Sequence, residues 1–142
     1  MSETLEIRSA NVTSVLEITA WQTDDPTRRF DYLDVTLNST GLRASTRIYN
    51  VEYRGDVSTL LAFFLDVAGN WRGWPGEKRW ESIESDLKLT CTSTSLGSIN
   101  VCVELYSHMA DPFIWDVRHT LMLESWQLDE LAARAEKFFR YE

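Results

Sequence analysis

The stretch Leu60–Trp71, LLAFFLDVAGNW, decides the fold, because the hydrophobic period of the chain changes there from two residues to three or four. The apolar residues that recur at this new spacing are Val57, Leu60, Leu61, Phe64, Leu65, Ala68 and Trp71. They would form one face of a helix of about four turns. Asp56 has the side chain of a helix N-cap, and Gly73 is the residue type that commonly follows a helix end.

The residues before this helix alternate between apolar and polar side chains, which is typical of half-buried strands. Three such stretches cover residues 13–22, 30–38 and 42–50, and a weaker one covers residues 4–8. The inward-facing residues are predicted to be Leu16, Ile18, Ala20, Leu33, Val35, Leu37, Leu42, Ala44 and Ile48. Short turns rich in Asp, Asn, Pro and Gly separate these strands, so neighbouring strands should run antiparallel.

Three more alternating stretches follow the helix, and a second helical stripe follows them. The predicted inward residues of these strands are Leu87, Leu89, Cys91, Ile99, Val101, Val103, Leu105, Val117, Leu121 and Leu123. Ser125 can cap the final helix, whose apolar stripe is Leu128, Leu131, Ala132, Ala135, Phe138 and Phe139. The order of elements predicts a single α+β domain over residues 1–142. It would contain a mostly antiparallel sheet of six or seven strands, with both helices packed on one face.

The two cysteines, Cys91 and Cys102, lie in neighbouring predicted strands. A three-residue loop over residues 95–97 would place Gly97 at the left-handed position that such loops need. Cys91 then lies opposite Val101, so the two thiols point to opposite faces of the sheet. We therefore expect two free thiols, as in a reducing compartment.

The composition is that of a soluble, acidic globular chain, with 142 residues, a net charge of −8 at pH 7 and a pI of about 4.8. An acidic surface repels a phosphate backbone, so we expect no nucleic-acid partner. The chain has no apolar run long enough to cross a bilayer, and its first residues lack the features of a secretory signal. We therefore expect no membrane association and a cytoplasmic location. The charge either keeps the protein soluble or attracts a basic partner.

Sequence motifs for catalysis and metal binding are absent. The histidines, His108 and His119, do not form a zinc-ligand spacing with the cysteines. Residues 75–78, PGEK, lack the rest of a phosphate-binding loop. His119 has the strand parity of the inward residues Val117 and Leu121, which favours a core role over a catalytic one. We expect no metal and no cofactor, and we lean against an enzyme, although a carboxylate pair in a cleft would leave no motif.

Residues 70–82, NWRGWPGEKRWES, hold three of the six tryptophans, and we call them the tryptophan loop. Trp74–Glu77, WPGE, has Pro and Gly at the positions that a type II turn requires. In one interpretation the indoles close one end of the core, as large aromatic residues usually do. In the other, the loop is a rigid binding site. The binding candidates of the loop are Arg72, Trp74, Glu77, Lys78 and Trp80.

Four stretches within residues 57–139 carry a family resemblance. They are LLAFFLDVAGNW, WRGWPGEKRWES, SDLKLT and LDELAARAEKFF. Together they resemble a family of small bacterial proteins known only as a domain of unknown function. The most specific part is the tryptophan loop with its Gly-x-Lys-x-Trp continuation. The resemblance implies one fold unit and supplies no catalytic residue, cofactor or partner.

The outward residues of the predicted sheet mix aromatic and charged side chains. Such a face suits a protein-binding surface, and it equally suits a solvated face stabilised by cross-strand pairs. The binding candidates there are Trp21, Tyr32, Arg43, Arg47 and Tyr49. The same parity adds Glu17, Asp34, Lys88, Glu104, Tyr106, Asp116 and Arg118.

Small size, acidity, the lack of catalytic motifs and the mixed sheet face together predict a non-catalytic protein-binding domain. Its function would be immunity-like or antitoxin-like, in that it would block another protein. The alternative is a small-molecule-binding protein or enzyme with a cleft beside the tryptophan loop. A third hypothesis is self-association through sheet faces or edges.

Overall fold

The computed structural model describes residues 4–50, 59–107 and 115–140, and these residues form eight strands and two α-helices. The strands are β1 (Thr4–Arg8), β2 (Val15–Ala20), β3 (Tyr32–Ser39), β4 (Leu42–Tyr49), β5 (Glu77–Glu81), β6 (Leu87–Ser93), β7 (Ile99–Tyr106) and β8 (Asp116–Leu123). The helices are α1 (Leu60–Gly69) and α2 (Ser125–Phe139). A turn of 3-10 helix, Pro26–Arg28, lies between β2 and β3. Among the described residues, no helix combines the length and hydrophobicity that a membrane-spanning segment needs.

The strands form two separate antiparallel sheets. The first has the order β1-β2-β3-β4 and the second has the order β5-β6-β7-β8. The α+β class and the antiparallel pairing are confirmed, whereas the prediction of one sheet with six or seven strands is wrong. Short turns join β3 to β4 and β6 to β7, which pair antiparallel. No such turn joins β4 to β5, because α1 lies between them in the chain, so the sheet is not continued there. Each half is four strands followed by a helix, although the sequence contains no repeat.

The two helices pack against each other, and each also contacts the sheet of the other half. Helix α1 follows the first sheet in the chain but contacts β5 of the second. Helix α2 follows the second sheet but contacts β1 of the first, and its Phe138 and Phe139 rings lie 5.6 and 5.7 Å from the ring of Phe30. The prediction that both helices pack on one face of one sheet is therefore wrong. The helices instead connect two sheets around a common core.

The inward faces of both sheets supply that core, as the alternation predicted. The predicted inward residues that are buried are Leu16, Ile18, Ala20, Leu33, Val35, Leu37, Ala44, Ile48, Leu87, Leu89, Cys91, Ile99, Val101, Val103, Leu105, Leu121 and Leu123. Leu42 and Val117 are half-buried and pack against the same cluster. Burial of this apolar surface is the main force that stabilises the fold.

Helix α1 is shorter than predicted and turns a different face to the core. Thr59 is its N-cap and accepts a hydrogen bond from the Ala62 amide at 3.0 Å. The predicted cap, Asp56, lies outside the described residues, as does Val57. The helix ends at Gly69 rather than near Gly73.

The buried residues of α1 are Leu60, Phe63, Phe64, Val67 and Ala68. Leu61 and Leu65 are only half-buried, and Trp71 lies beyond the helix with 46% of its surface exposed. The buried face of α1 therefore differs from the predicted apolar face by a rotation about the helix axis. The spacing of three and four fitted several overlapping sets in a segment whose residues are nearly all apolar.

The β6–β7 hairpin has the predicted register. Cys91 lies opposite Val101, and Cys102 lies opposite Thr90. Gly97 has a φ angle of 86°, in the left-handed region that the loop requires. Both thiols are free, with Cys91 buried in the core and Cys102 on the outer face. Burial raises the pKa of the Cys91 thiol to about 12, because the thiolate would lose its hydration there.

A polar junction connects the two sheets at one end of the core. The Nε2 atom of His119 in β8 lies 2.8 Å from the Oγ atom of Ser14, which lies 2.9 Å from the Oγ atom of Ser39. Nearby, the Ala10 amide donates a hydrogen bond of 2.7 Å to the carbonyl of Met122. His119 is therefore a half-buried structural residue with a polar partner. His108 lies outside the described residues.

Candidate binding surface

The tryptophan loop is anchored to the second sheet by Ser93. The Trp74 amide donates to Ser93 Oγ at 3.1 Å, and the Ser93 hydroxyl donates to the Trp74 carbonyl at 3.0 Å. Gly73 has a φ angle of 110°, and a Cβ atom there would lie 3.2 Å from Ser93 Oγ, so only glycine fits this approach without strain. Gly76, with a φ angle of 76°, takes the left-handed position of the predicted turn.

Two of the three loop tryptophans contribute to the core. Trp74 and Trp80 are partly buried and pack against the core cluster. The Nζ atom of Lys78 lies 5.2 Å from the centre of the Trp74 ring and 2.9 Å from a carboxylate oxygen of Asp66 in α1. The Trp74 indole nitrogen is buried and has no hydrogen-bond acceptor within the described part of the chain. The side chains of Trp74 and Lys78 therefore contribute to the fold. Arg72 is exposed, and its guanidinium carbon lies 4.9 Å from the centre of the exposed Trp71 ring.

The second half of the tryptophan loop is strand β5, which the alternation of the sequence did not predict. Trp80 pairs with Leu89, and Lys78 pairs with Cys91. The outward positions of β5 are exposed and charged: Glu77, Arg79 and Glu81. A period of two is present in this strand. It was hidden because a lysine occupies one of the two inward positions and the strand is only five residues long.

The candidates on the first sheet lie together on its outer face but bind one another. The rings of Trp21 and Tyr32 are 5.1 Å apart, and those of Tyr32 and Tyr49 are 5.3 Å apart. Arg47 forms two hydrogen bonds with Asp34, at 2.8 and 3.2 Å, and this contact raises the pKa of Arg47.

The remaining polar residues of this face also pair across strands. Arg43 donates to Asn38 at 3.3 Å, and Asn38 donates to Glu17 at 2.6 Å. The hydroxyl oxygens of Thr36 and Ser45 lie 2.8 Å apart, at hydrogen-bond distance. These pairs stabilise the sheet itself.

The outer face of the second sheet forms a trough with a volume of about 680 Å³, open to solvent. It is lined by Glu77, Arg79, Trp80, Glu81, Lys88, Leu89, Thr90, Thr92, Asn100, Cys102, Glu104, Arg118 and Thr120. All four strands contribute. Glu77 and Trp80 come from the tryptophan loop, and Lys88, Glu104 and Arg118 come from the predicted outward face. The predicted outward face is therefore divided between the two sheets, and its members on the second sheet line this trough together with part of the tryptophan loop.

A row of alternating charge crosses the trough. Strand register places Glu81 beside Lys88, Lys88 beside Glu104, and Glu104 beside Arg118. Within this row only Lys88 and Glu81 approach as an ion pair, at 3.9 Å. The next row of the sheet is uncharged at Thr90, Cys102 and Thr120. The trough thus has a charged strip beside a neutral floor.

Arg118 is the cation of this row that is most available to a ligand. Its Nε atom donates to the Cys102 sulfur at 3.3 Å, and that hydrogen bond is the main cause that raises the pKa of Arg118. Among the described residues, Arg118 forms no ion pair with a carboxylate. Glu104 instead accepts a hydrogen bond of 2.8 Å from the Tyr106 hydroxyl, which raises the pKa of Tyr106.

The described ranges contain no cluster of three or more His, Cys, Asp or Glu side chains arranged to hold a metal ion. The side chains that line the trough offer charge, hydrogen-bonding groups and one thiol.

The sequence over residues 7–142 matches the model of a family of unknown function (DUF6228). The chain belongs to this family. The match begins within β1 and takes in both helices, so it is wider than the resemblance over residues 57–139 and confirms it. A comparison with curated proteins gives no match. Membership of DUF6228 thus describes the unit and carries no function with it.

Proposed function

We propose that this DUF6228 chain is a non-catalytic protein-binding domain and that the trough on the second sheet is its binding surface. The observation that carries the proposal is the row Glu81, Lys88, Glu104 and Arg118, whose charges alternate in register without closing into short ion pairs. On the first sheet the charged side chains are already paired, because the Arg47 Nε atom lies 2.8 Å from a carboxylate oxygen of Asp34.

A protein segment fits the trough better than a small molecule does. Small-molecule sites are mostly apolar and bury about 70–90% of the surface of the ligand. This trough is open, and its outward groups are polar or charged. Protein interfaces accept such a mixture, because polar and charged side chains there give register and specificity. Arg118 in particular can bind a carboxylate of the partner with two parallel hydrogen bonds.

The finer form of the proposal is an immunity-like or antitoxin-like role, in which the trough covers a surface of another protein. The net charge of −8 supports it, because such a charge accelerates the encounter with a basic partner. The same proposal places the protein in the cytoplasm, where the free thiols of Cys91 and Cys102 would stay reduced.

The experiment is site-specific photo-crosslinking in the native host. A photoreactive residue at Thr90, on the trough floor, should capture one protein species, and mass spectrometry identifies it. The same residue at Ser45, on the outer face of the first sheet, is the matched control and should capture none. Arg118→Glu should abolish the Thr90 crosslink, and circular dichroism should show that the variant is still folded, since Arg118 is exposed. Equal capture from both faces, or capture that ignores Arg118→Glu, would count against the proposal.

A second candidate is small-molecule binding, and one observation favours it. The trough reaches the tryptophan loop at Glu77 and Trp80, and its volume of about 680 Å³ is large enough for a metabolite. Native mass spectrometry of the freshly purified protein tests this candidate. A bound mass that is lost in Arg118→Glu would support small-molecule binding, and the bare protein mass alone would contradict it.

A further inference from the structure

Strand β8 lies at an edge of the second sheet, because among the described strands it pairs with β7 alone. Successive residues of an antiparallel strand direct their backbone N–H and C=O groups to opposite sides. The Trp115 carbonyl, just before β8, accepts a hydrogen bond of 3.0 Å from the Ser107 amide, on the side of β7. The Met122 carbonyl accepts one of 2.7 Å from the Ala10 amide, on the other side. The even-numbered residues of β8 therefore present their backbone groups at the open edge of the sheet.

The protein uses only one end of this edge for pairing within the described part of the chain. Met122 is paired there, because its amide also donates a hydrogen bond of 3.1 Å to the Ser9 hydroxyl. Further along the edge, the edge-facing backbone groups of Asp116, Arg118 and Thr120 form no hydrogen bond with any described residue. All three residues are exposed. The edge therefore offers their N–H and C=O groups to one short extended segment.

The side chains of these residues project onto the outer face of the sheet, and those of Arg118 and Thr120 line the trough. The charged row of the trough ends at Arg118, whose Nε atom is bonded to the Cys102 sulfur. The neutral row ends at Thr120. Asp116 lies opposite Tyr106 and forms no ion pair within the described ranges. Because opposite charges are favourable across strands, a strand that continued these rows would carry an acid opposite Arg118 and a base opposite Asp116.

We propose that the partner contributes an antiparallel strand that pairs with β8 along Asp116–Thr120, with an acidic side chain opposite Arg118. This inference rests on the proposed function, and it specifies the chemistry by which the partner is recognised. Backbone hydrogen bonds would provide affinity, and the side chains at alternate positions of the added strand would provide specificity. The rest of the partner would cover the trough, which the added strand adjoins. The antiparallel direction follows that of the strand pairs in both described sheets.

Charge and area both favour a partner's strand at β8. The first sheet also ends in an edge strand, β4, but its Arg47 already binds Asp34 and is not available to an incoming acid. A second copy of this chain would oppose Arg118 with Asp116 if two β8 strands paired about Val117. A stable dimer interface buries more than about 1,000 Å², however, and the open edge of five residues provides a smaller contact. A partner that also covers the trough gains the additional area.

A synthetic peptide tests the pairing before the partner is known. Its core, Thr-Val-Glu-Val-Lys, would run antiparallel to Asp116–Thr120 with its glutamate opposite Arg118. Titration of the isotope-labelled chain with this peptide is followed by NMR at each backbone amide. The Arg118 and Thr120 amides, which face the edge, should shift and become protected from hydrogen exchange. The Val117 and His119 amides, which face β7, should shift less.

Two matched changes show whether backbone pairing and charge both contribute. Methylation of the glutamate amide nitrogen should raise the peptide dissociation constant at least about tenfold, because this amide would pair with the Arg118 carbonyl. Methylation of the first valine amide, which would face away from β8, is the control and should leave the constant unchanged. Arg118→Glu should lose affinity for this peptide and gain it for Thr-Val-Lys-Val-Lys. Circular dichroism checks that the variant is folded.

The proposal would be overturned by no shift with millimolar peptide, by equal weakening from the two methyl groups, or by shifts limited to Thr90 and Cys102 on the trough floor. Protection of the Arg118 and Thr120 amides in the free chain, together with a dimer in sedimentation, would place a second copy at the edge and would also overturn it. Failure here is distinguishable from failure of the proposed function, because the crosslink at Thr90 reports cover of the trough whether or not a strand is added to β8.

Discussion

At the scale of single residues, Ser93 is the residue that holds the tryptophan loop in place. Its hydroxyl pairs with both the amide and the carbonyl of Trp74. We predict that Ser93→Ala lowers the free energy of unfolding by about 1–3 kcal/mol, because it leaves two partly buried backbone groups unpaired. Urea denaturation followed by tryptophan fluorescence measures the loss. Ser95→Ala, at the exposed hairpin tip, is the control and should behave as the wild type. Equal midpoints for both variants would show that the loop does not depend on Ser93.

The buried thiol of Cys91 makes stability depend on alkaline pH. Its pKa is about 12 in the fold, against an ordinary value of 9.0. Between those values the unfolded chain loses a proton that the folded chain keeps, so stability falls as the pH rises through this window. We predict that the wild type loses up to about 1.4 kcal/mol per pH unit there relative to Cys91→Ala. Denaturation curves at about pH 9, 10 and 11 measure the difference in the free energy of unfolding. Parallel pH profiles for the two proteins would contradict it.

In the strands that the alternation predicted, the sequence identified the side of the sheet on which each residue lies, but it could not identify the partner of an outward charge. Arg47 and Arg118 have the same parity in the alternation, and one is bound by a carboxylate while the other contacts a thiol. Partners are set by the register of strands far apart in the chain, which a single strand does not contain. The candidate surface was therefore predictable as a set of outward residues and not as a trough.

At the scale of elements, the start of α1 is determined by Thr59. Its side chain accepts from the Ala62 amide, which is one of the donors that a helix leaves without an internal partner. We predict that Thr59→Ala destabilises the fold by about 1 kcal/mol. Thr59→Ser keeps the hydroxyl and should retain most of the stability. Thermal unfolding by calorimetry measures both variants, and a Thr59→Ala protein as stable as Thr59→Ser would show that the cap does not matter.

Elements whose apolar residues recur at a regular spacing were predicted well, and elements without such a regular spacing were not. Strands β2, β3, β6 and β7 alternate strictly and were found. In α1 the apolar residues nearly surround the helix, so the sequence did not define which face would be buried. In β5 the inward residue Lys78 is satisfied by Asp66 of α1, a partner that no local pattern could reveal.

At the scale of the whole molecule, the hydrogen bond between His119 and Ser14 joins the two sheets. Ser14 is only 5% exposed, so loss of its partner leaves a buried hydroxyl with fewer contacts. We predict that His119→Ala and Ser14→Ala are each destabilising and that the double variant costs less than their sum. The coupling energy should be about 0.5–1.5 kcal/mol. A double-mutant cycle from urea denaturation measures it, and strict additivity would show that the sheets do not depend on this contact.

The division into two sheets was not predictable from the chain, because it depends on which strands fail to pair. Nothing in the alternation of β4 or β5 excludes their being neighbours, yet the two strands lie in different sheets. The core residues, by contrast, could be predicted on both sides of that division, since each strand buries its apolar face regardless of the sheet to which it belongs.

The contact of α2 with β1 and Phe30 has a consequence for biosynthesis. The first sheet is complete once Tyr49 has been made, yet α2, which helps to cover it, is complete only at Phe139. At ordinary translation rates the ribosome needs roughly 5 to 20 s to synthesise the residues between them. During that time the nascent chain carries a sheet whose apolar face is not yet fully shielded from water. Apolar surface exposed in this way makes the nascent chain prone to aggregation until α2 has been synthesised.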